Sequence, residues 1–191
     1  MEKINFKNPL VTLGSPFGIG YEIFLRTIEK KIIKSGTPVA IGSEIIILFY
    51  MKLLKIKCSF KSLKPDEINK LKSKDPDFAD FYLINIDAYA SVKNVKSIKD
   101  IDPVLDGKCA YQSIKLAAEL VLSGHFRCIT TLPVSKENIN LLDPSFHGHT
   151  EFFQKKWIEK KVFMTFASKK INVLLLTTHI PLKQVIKNIS P

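Results

Sequence analysis

Apolar positions along this chain fall into short runs that alternate with amphipathic stretches. Residues 9–13 (Pro-Leu-Val-Thr-Leu) form such a run, closed by Gly14, and predict a buried strand. Beyond the turn Gly14-Ser15-Pro16-Phe17-Gly18-Ile19-Gly20, the residues Ile19, Ile23, Phe24, Ile28 and Ile32 recur at helical spacing, with Gly36 expected as the C-terminal cap. Residues 38–41 predict a second strand, and Ser43 is placed to cap an apolar helix over 44–54. Residues 55–74 are Lys-rich with weak periodicity, 78–86 predict a strand, and 89–103 carry no pattern and are expected to be loop. Asp106 is expected to open a helix whose face is Ala110, Ile114, Ala117, Ala118, Val121 and Leu122, ended by Gly124. A strand follows at 128–132, then a short helix capped by Ser135 and running to about Leu142. Thr150 is expected to cap a helix containing Phe152, Phe153, Trp157 and Ile158. Strands at 162–167 and 171–177 and an amphipathic helix from Pro181 complete the pattern.

Strands alternating with helices over the whole chain predict an α/β protein with a largely parallel sheet, whose functional groups gather at the carboxyl ends of the strands. No internal repeat or low-complexity linker interrupts the alternation. At 191 residues, with 46% hydrophobic and 25% charged residues, the chain can bury a sizeable core. No apolar run approaches the roughly 18 residues that cross a bilayer, and the first twenty residues lack the apolar stretch of a signal peptide, so a cytoplasmic protein is expected. Cys58, Cys109 and Cys128 are odd in number and widely spaced, which predicts reduced, mostly buried thiols and no zinc ribbon.

The net charge of +11 raises the possibility of nucleic-acid binding. Against it, Arg26 and Arg127 are the only arginines among 29 basic residues, and the lysines are scattered and form no stripe. The glycine turn could cradle a phosphate with its N–H groups, or be simply a tight turn, since it matches neither G-x-G-x-x-G nor the P-loop. All four histidines, His125, His147, His149 and His179, lie in the last third. His147-x-His149 could offer two rings to a metal, although a catalytic divalent site takes about three protein ligands. His125, just past a helix-ending glycine, suits a structural role at a helix C-terminus. His149 lies directly before a predicted helix N-terminus, a good place for a phosphate, where Thr150 could serve the anion or the cap. His179 follows a strand and precedes a proline-started helix.

Four segments together resemble a known family: Gly-His-Thr-Glu-Phe-Phe at 148–153, Thr-Thr-His-Ile-Pro-Leu at 177–182, Thr-x-Pro-Val-x-Lys at 131–136 and Ser-Pro-x-Gly-Ile-Gly-x-Glu at 15–22. In order and spacing they are similar to 4-hydroxythreonine-4-phosphate dehydrogenases of pyridoxal phosphate biosynthesis. The resemblance runs along residues 1–191 and corresponds to the N-terminal portion of a family member, with the C-terminal portion expected to be absent. It implies an isocitrate/isopropylmalate-dehydrogenase-like α/β fold, truncated, with a largely parallel sheet and flanking helices. It also implies a phosphorylated small-molecule substrate, a divalent metal (zinc, magnesium or cobalt), NAD or NADP, and a homodimer or a separate C-terminal chain. By matching position, His149 and Thr150 would bind substrate and His179 would be one metal ligand, with catalytic and cofactor-binding residues unassigned. The implied reaction is oxidation of a secondary alcohol followed by decarboxylation, incomplete in this chain; the alternative is an inactive remnant or binding module of the same fold. The family usually has an acidic residue at the position of Ser15, a small residue at Phe17, proline at Tyr21 and a small residue at Leu132. Bulk at Phe17 and Leu132 is expected to alter the first loop.

Overall fold

Leu10–Thr12 (β1) is buried at every residue, with no polar alternation, as expected of a central strand covered on both faces. It pairs in parallel with Val39–Gly42 (β2) on one side and Ile129–Thr131 (β5) on the other. Phe81–Asn85 (β4) adds to β2, and Phe60–Leu63 (β3) forms the outer strand on β4. The result is a five-stranded parallel sheet of order β3-β4-β2-β1-β5 with flanking helices. The computed structural model describes residues 8–34, 36–70, 79–86, 97, 102–157, 163–177 and 180–188. The chain divides into two units, Met1–Phe152 and Phe153–Pro191, and the sheet lies wholly in the first.

In the first unit Gly20–Glu29 (α1) buries Tyr21, Phe24, Leu25 and Ile28, and Glu44–Leu54 (α2) buries Ile46, Ile47 and Tyr50. Phe24 meets Phe81 edge-on, with ring centroids 5.0 Å apart, which ties α1 to the sheet. The core is built from these residues together with Leu10, Leu13, Ile41, Leu83 and Ile84.

The first helix is shorter than its periodicity predicts. It ends at Glu29 with Lys30 as the cap and Lys31 at a φ of 49°, while Gly36 lies in the connection to β2. Ile32 is 59% exposed, so extending the helix to it would bury little. The Lys-rich stretch contains two elements that periodicity misses, β3 and a 3-10 helix at Pro65–Lys70. Only Leu63 is buried in β3, which leaves its sequence without a readable pattern.

Pro103–Leu122 (α3) begins earlier than expected. Asp102 is its true N-cap, accepting from the amides of Val104 and Leu105, and Pro103 fills the first position. Asp106 therefore lies inside the first turn and does not open the helix. The far end closes on Gly124, at a φ of 80°, with the amides of Gly124 and His125 donating to Val121 and Leu120. Lys136–Asn140 (α4) is capped by Ser135 as expected. His149–Lys156 (α5) starts one residue before Thr150; the amide of Phe152 donates to the Gly148 carbonyl, so Thr150 belongs to the first turn and is not the cap.

The second unit departs from the expected parallel pattern. The strands expected at 162–167 and 171–177 reduce to Thr165–Phe166 (β6) and Val173–Leu174 (β7), which pair antiparallel with each other. The reason lies in the connection. Ser168 folds it tightly, its hydroxyl accepting from the amides of Lys170 and Ile171 while its own amide donates to Asn172 Oδ1. So short a link can join only antiparallel neighbours, because a parallel pair needs a crossover of roughly a dozen residues. Leu182–Asn188 (α6) follows. Residues 71–74 of the Lys-rich stretch, Phe78, residues 89–96 and 98–101 of the expected loop, Ile158, Val162 and the pair Thr178-His179 fall outside the described residues. Among the described residues, no helix is long and apolar enough to cross a membrane.

Candidate functional site

β1 leads through α1 to β2 on one flank, whereas β5 joins β1 on the other. The carboxyl ends of β1 and β5 thus form the point where strand order reverses, the usual place for a ligand crevice in open parallel sheets. Two segments leave the sheet there, the glycine turn after β1 and residues Leu132 to Ser135 after β5. They are bonded to each other. The amide of Leu132 donates to Thr12 O at 3.0 Å, that of Ser15 to Pro133 O at 3.1 Å, and that of Ser135 to Ser15 Oγ at 2.9 Å. Gly14 makes the approach possible: its φ is +74°, and a Cβ there would collide with the Pro133 carbonyl oxygen.

Beneath the turn sits Asp106, fully buried on the first turn of α3. Its carboxylate accepts from Ser15 Oγ at 2.8 Å, the Phe17 amide at 2.8 Å and Asn138 Nδ2 at 2.7 Å. One buried carboxylate thereby joins the glycine turn, α3 and α4, with three donors offsetting its desolvation. Gly107 lets α4 come close, since a Cβ there would overlap the Asn138 carbonyl oxygen. The glycine turn consequently behaves as a brace. The Phe17 amide is taken by Asp106 and the Gly18 amide by Ser15 O. The Phe17 side chain is 37% exposed, so its bulk points away from the core, whereas Leu132 packs near Gly20.

Tyr21 and Tyr50 support the turn from below. Their rings stack at 5.8 Å, Tyr50 donates to the Pro16 carbonyl at 2.9 Å, and Tyr21 Oη accepts from the Ser43 amide at 3.0 Å. The bulk at Tyr21 is thus spent satisfying the start of α2. Cys109 Sγ lies 3.6 Å from Tyr21 Oη, and burial pushes its thiol up to about 12, which keeps it protonated and inert. Cys58 is half-buried; Cys128 is exposed, contrary to expectation, because it precedes β5 at the edge of the sheet.

The two neighbouring histidines part company. His147 is exposed, with Nδ1 2.8 Å from the Ser145 carbonyl. His149 opens α5, half-buried, with its ring 6.4 Å from that of Phe146, and its Nε2 is shielded from solvent. Phe146 and Phe152 in turn pack on Tyr111 of α3, whose hydroxyl donates to Asp143 at 2.9 Å. Burial, and secondarily the Lys136 ammonium, lower the proton affinity of His149, which favours the neutral imidazole near pH 7. Thr150 is exposed in the first turn of α5, beside amides that have no intrahelical acceptor. His125 serves the end of α3, its Nδ1 2.7 Å from Ser123 Oγ, in keeping with a structural role.

Among the described residues no three His, Cys, Asp or Glu side chains come together to hold a metal ion, and His179 lies outside them. The side chain that sequence reasoning missed is Asp106. Its signal was present: it continues the helical face of Ala110, Ser113, Ile114 and Ala117, all buried, where an acidic residue needs a reason.

A family profile described as "Pyridoxal phosphate biosynthetic protein PdxA" matches residues 34–191. A 4-hydroxythreonine-4-phosphate dehydrogenase of Aquifex aeolicus is 34% identical over 176 residues, which cover 92% of this chain and 50% of the relative. A protein of Oceanobacillus iheyensis, provisionally named a D-threonate 4-phosphate dehydrogenase, is 27% identical over 97% of this chain and 54% of its own length. Among solved structures, a 4-hydroxythreonine-4-phosphate dehydrogenase from Burkholderia phymatum superposes with a TM-score of 0.77 at 21% identity, covering 97% of this chain and 55% of that one. One from Klebsiella pneumoniae gives 0.72 at 23% identity, over 95% and 54%. Likeness at these identities establishes the fold. The chain spans about half the length of the relatives it matches.

Proposed function

Because the chain belongs to the PdxA family of pyridoxal phosphate biosynthetic proteins, we propose that it is the substrate-binding portion of a dehydrogenase acting on a phosphorylated hydroxy acid of the 4-hydroxythreonine 4-phosphate or threonate 4-phosphate type. The observation that carries this is the family's Gly148-His149-Thr150-Glu151 segment at the start of α5, with the family match extending over residues 34–191. His149 and Thr150 are the substrate contacts: a neutral imidazole and a hydroxyl at the positive end of a helix suit an anionic oxygen.

The overall reaction is oxidation of the secondary alcohol by NAD or NADP, which takes the hydride, followed by loss of carbon dioxide from the 3-oxo acid. A divalent ion, zinc, magnesium or cobalt, supplies Lewis acidity in such chemistry. Among the described residues no cluster of three His, Cys, Asp or Glu assembles its site, and His179 is proposed as one ligand of the three or so required. The chain's own work is orientation: α4 and the glycine turn, fastened through Asp106, and α5 present their first turns. A second copy of the chain, in a homodimer, is the proposed partner. Exposed Phe166, Val173, Leu174, Leu182 and Ile186 in the second unit support association.

The test is a spectrophotometric assay of NAD(P) reduction with either phosphorylated acid and each metal, using the chain alone and with the C-terminal portion of a family member added. The expected result is no turnover alone and turnover on addition, abolished by His179→Ala. Failure of both mixtures to reduce NAD(P), together with no binding of either acid by calorimetry, would overturn the proposal.

The rival reading, a binding module without turnover, is favoured by one observation: the glycine turn uses its Phe17 and Gly18 amides internally. Tight binding of the phosphorylated acid with no turnover in any mixture would select it.

A further inference from the structure

Between α4 and α5 the chain runs through residues 141–148, and both α3 and α4 hold this segment. From α3, Tyr111 donates its hydroxyl to Asp143 at 2.9 Å. From α4, Asn140 turns its amide nitrogen to the carbonyls of Phe146 and Asp143, at 2.9 and 3.1 Å. The Asp143 carboxylate also accepts from the amide and hydroxyl of Ser145, at 3.0 and 2.7 Å, and the Asp143 carbonyl from the Phe146 amide at 3.0 Å. A mostly exposed segment is thereby tied to two helices by its polar groups.

The apolar half of the arrangement leads to His149. Phe146 is 4% exposed, buried inside an otherwise open segment. The Tyr111 ring meets it edge-on at 6.3 Å and meets Phe152 at 5.8 Å, while Phe146 and Phe152 lie 6.1 Å apart, so that three rings close a triangle. The His149 ring stands at 77° to that of Phe146, 6.4 Å away. Tyr111 thus grips the segment twice, by its hydroxyl at Asp143 and by its ring at Phe146, and Phe146 carries that position on to the imidazole.

An imidazole turns about a broad terminal torsion, and a packed aromatic wall narrows its range. Filling space at position 111 needs only an apolar residue. The bond from its hydroxyl to Asp143 does something more: it sets where the segment starts, and so where Phe146 can sit. We propose that Tyr111 is a positioning residue for the substrate contact His149, acting through the Asp143 tether and the Phe146 ring; this rests on the assignment of His149 above.

The experiment titrates 4-hydroxythreonine 4-phosphate and threonate 4-phosphate, each in turn, into the full chain by calorimetry, and follows the His149 ring of the ligand-free chain by NMR. Tyr111→Leu should weaken binding about tenfold, since a misplaced contact loses its alignment with the ligand. Tyr111→Phe, which keeps the ring triangle and removes the tether, should weaken it about threefold. In a His149→Gln background, Tyr111→Leu should cost less than about twofold more, because residues acting as one unit are not additive. The His149 ring resonances should move in Tyr111→Leu while those of His125, at the other end of α3, stay in place.

Unmoved His149 resonances in Tyr111→Leu would overturn the proposal, and so would an equal loss of affinity from Tyr111→Leu with and without His149. If Tyr111→Leu does not fold, Tyr111→Phe decides: an affinity equal to the parent's would overturn the role of Tyr111. Those results leave the assignment of His149 standing. Absence of binding by the parent chain, or binding untouched by His149→Gln and His149→Ala, would overturn that assignment and the positioning role with it.

Discussion

The two units of this chain treat their polar and apolar groups in opposite ways. At the sheet edge of the first unit, Asp106, Ser15, Asn138 and the Phe17 amide are drawn out of water and satisfy one another. In the second unit, apolar side chains stay in water: Leu182 is 85% and Ile186 83% exposed on α6, and Phe166 and Leu174 are exposed on the hairpin. A buried carboxylate with three donors is a finished local structure, stable only if every partner is in place. An amphipathic helix with its apolar residues uncovered is a surface open to a partner. Stability should therefore respond sharply to substitution in the first region and weakly in the second, while association should do the reverse.

The largest effect is expected from Asp106→Ala, which strands three buried donors at once. A loss of about 3–5 kcal/mol in urea unfolding is expected, and a cost under about 1 kcal/mol would show that water or a local shift replaces the carboxylate. Ser15→Asp should come next, because it sets a second carboxylate against Asp106 in a site only 2% exposed. Pairing it with Asp106→Asn should recover most of the loss, since the acid would then have changed places; absence of recovery in the double variant would disprove that exchange. Tyr21→Phe removes the acceptor of the Ser43 amide and should cost about 1–2 kcal/mol, measured by the same unfolding curve.

A smaller effect comes from acid. The folded chain holds the His149 proton less tightly than the ordinary 6.5, by burial first and Lys136 second. The unfolded chain therefore binds more protons in this window, so the His149 contribution is complete above about pH 6.5 and is lost as the pH falls toward the folded value. His149→Gln should flatten that part of the stability profile; an unchanged slope would place the acid sensitivity elsewhere. The smallest effect on stability belongs to Ile186→Ser, within about 0.5 kcal/mol. The same change should lower the apparent mass in light scattering. A core-sized stability loss there would mean that α6 is covered in solution, and the contrast between the units would fail.

Much of the fold was legible because burial on both faces writes continuous apolar runs, as in β1 and β2, and because caps such as Ser135 have their own chemistry. Two kinds of feature were not. The edge strand β3 carries one buried residue, Leu63, and so leaves no periodic trace. The hairpin β6–β7 reads as two buried runs, since an apolar residue looks the same in sequence whether it is covered or exposed. At the site, His149 was legible from its place before a helix, and Asp106 left a trace as an acidic residue on an otherwise apolar helical face, but its partners did not: Ser15 and Asn138 lie 91 and 32 residues away, beyond any local pattern. The departures at Ser15 and Tyr21 prove to be members of a bonded support.

The fastening of the glycine turn also dictates an order of events during synthesis. The turn at 14–18 closes only when Asp106 and Pro133 have arrived, and Asn138 must follow before the carboxylate holds all three of its donors. On a ribosome, the first strand and helix are made long before the residues that lock them. Contacts of such long separation are slow to form. This end of the sheet is thus a late structure built from early residues, and a chain terminated before residue 138 would keep its first loop unfastened.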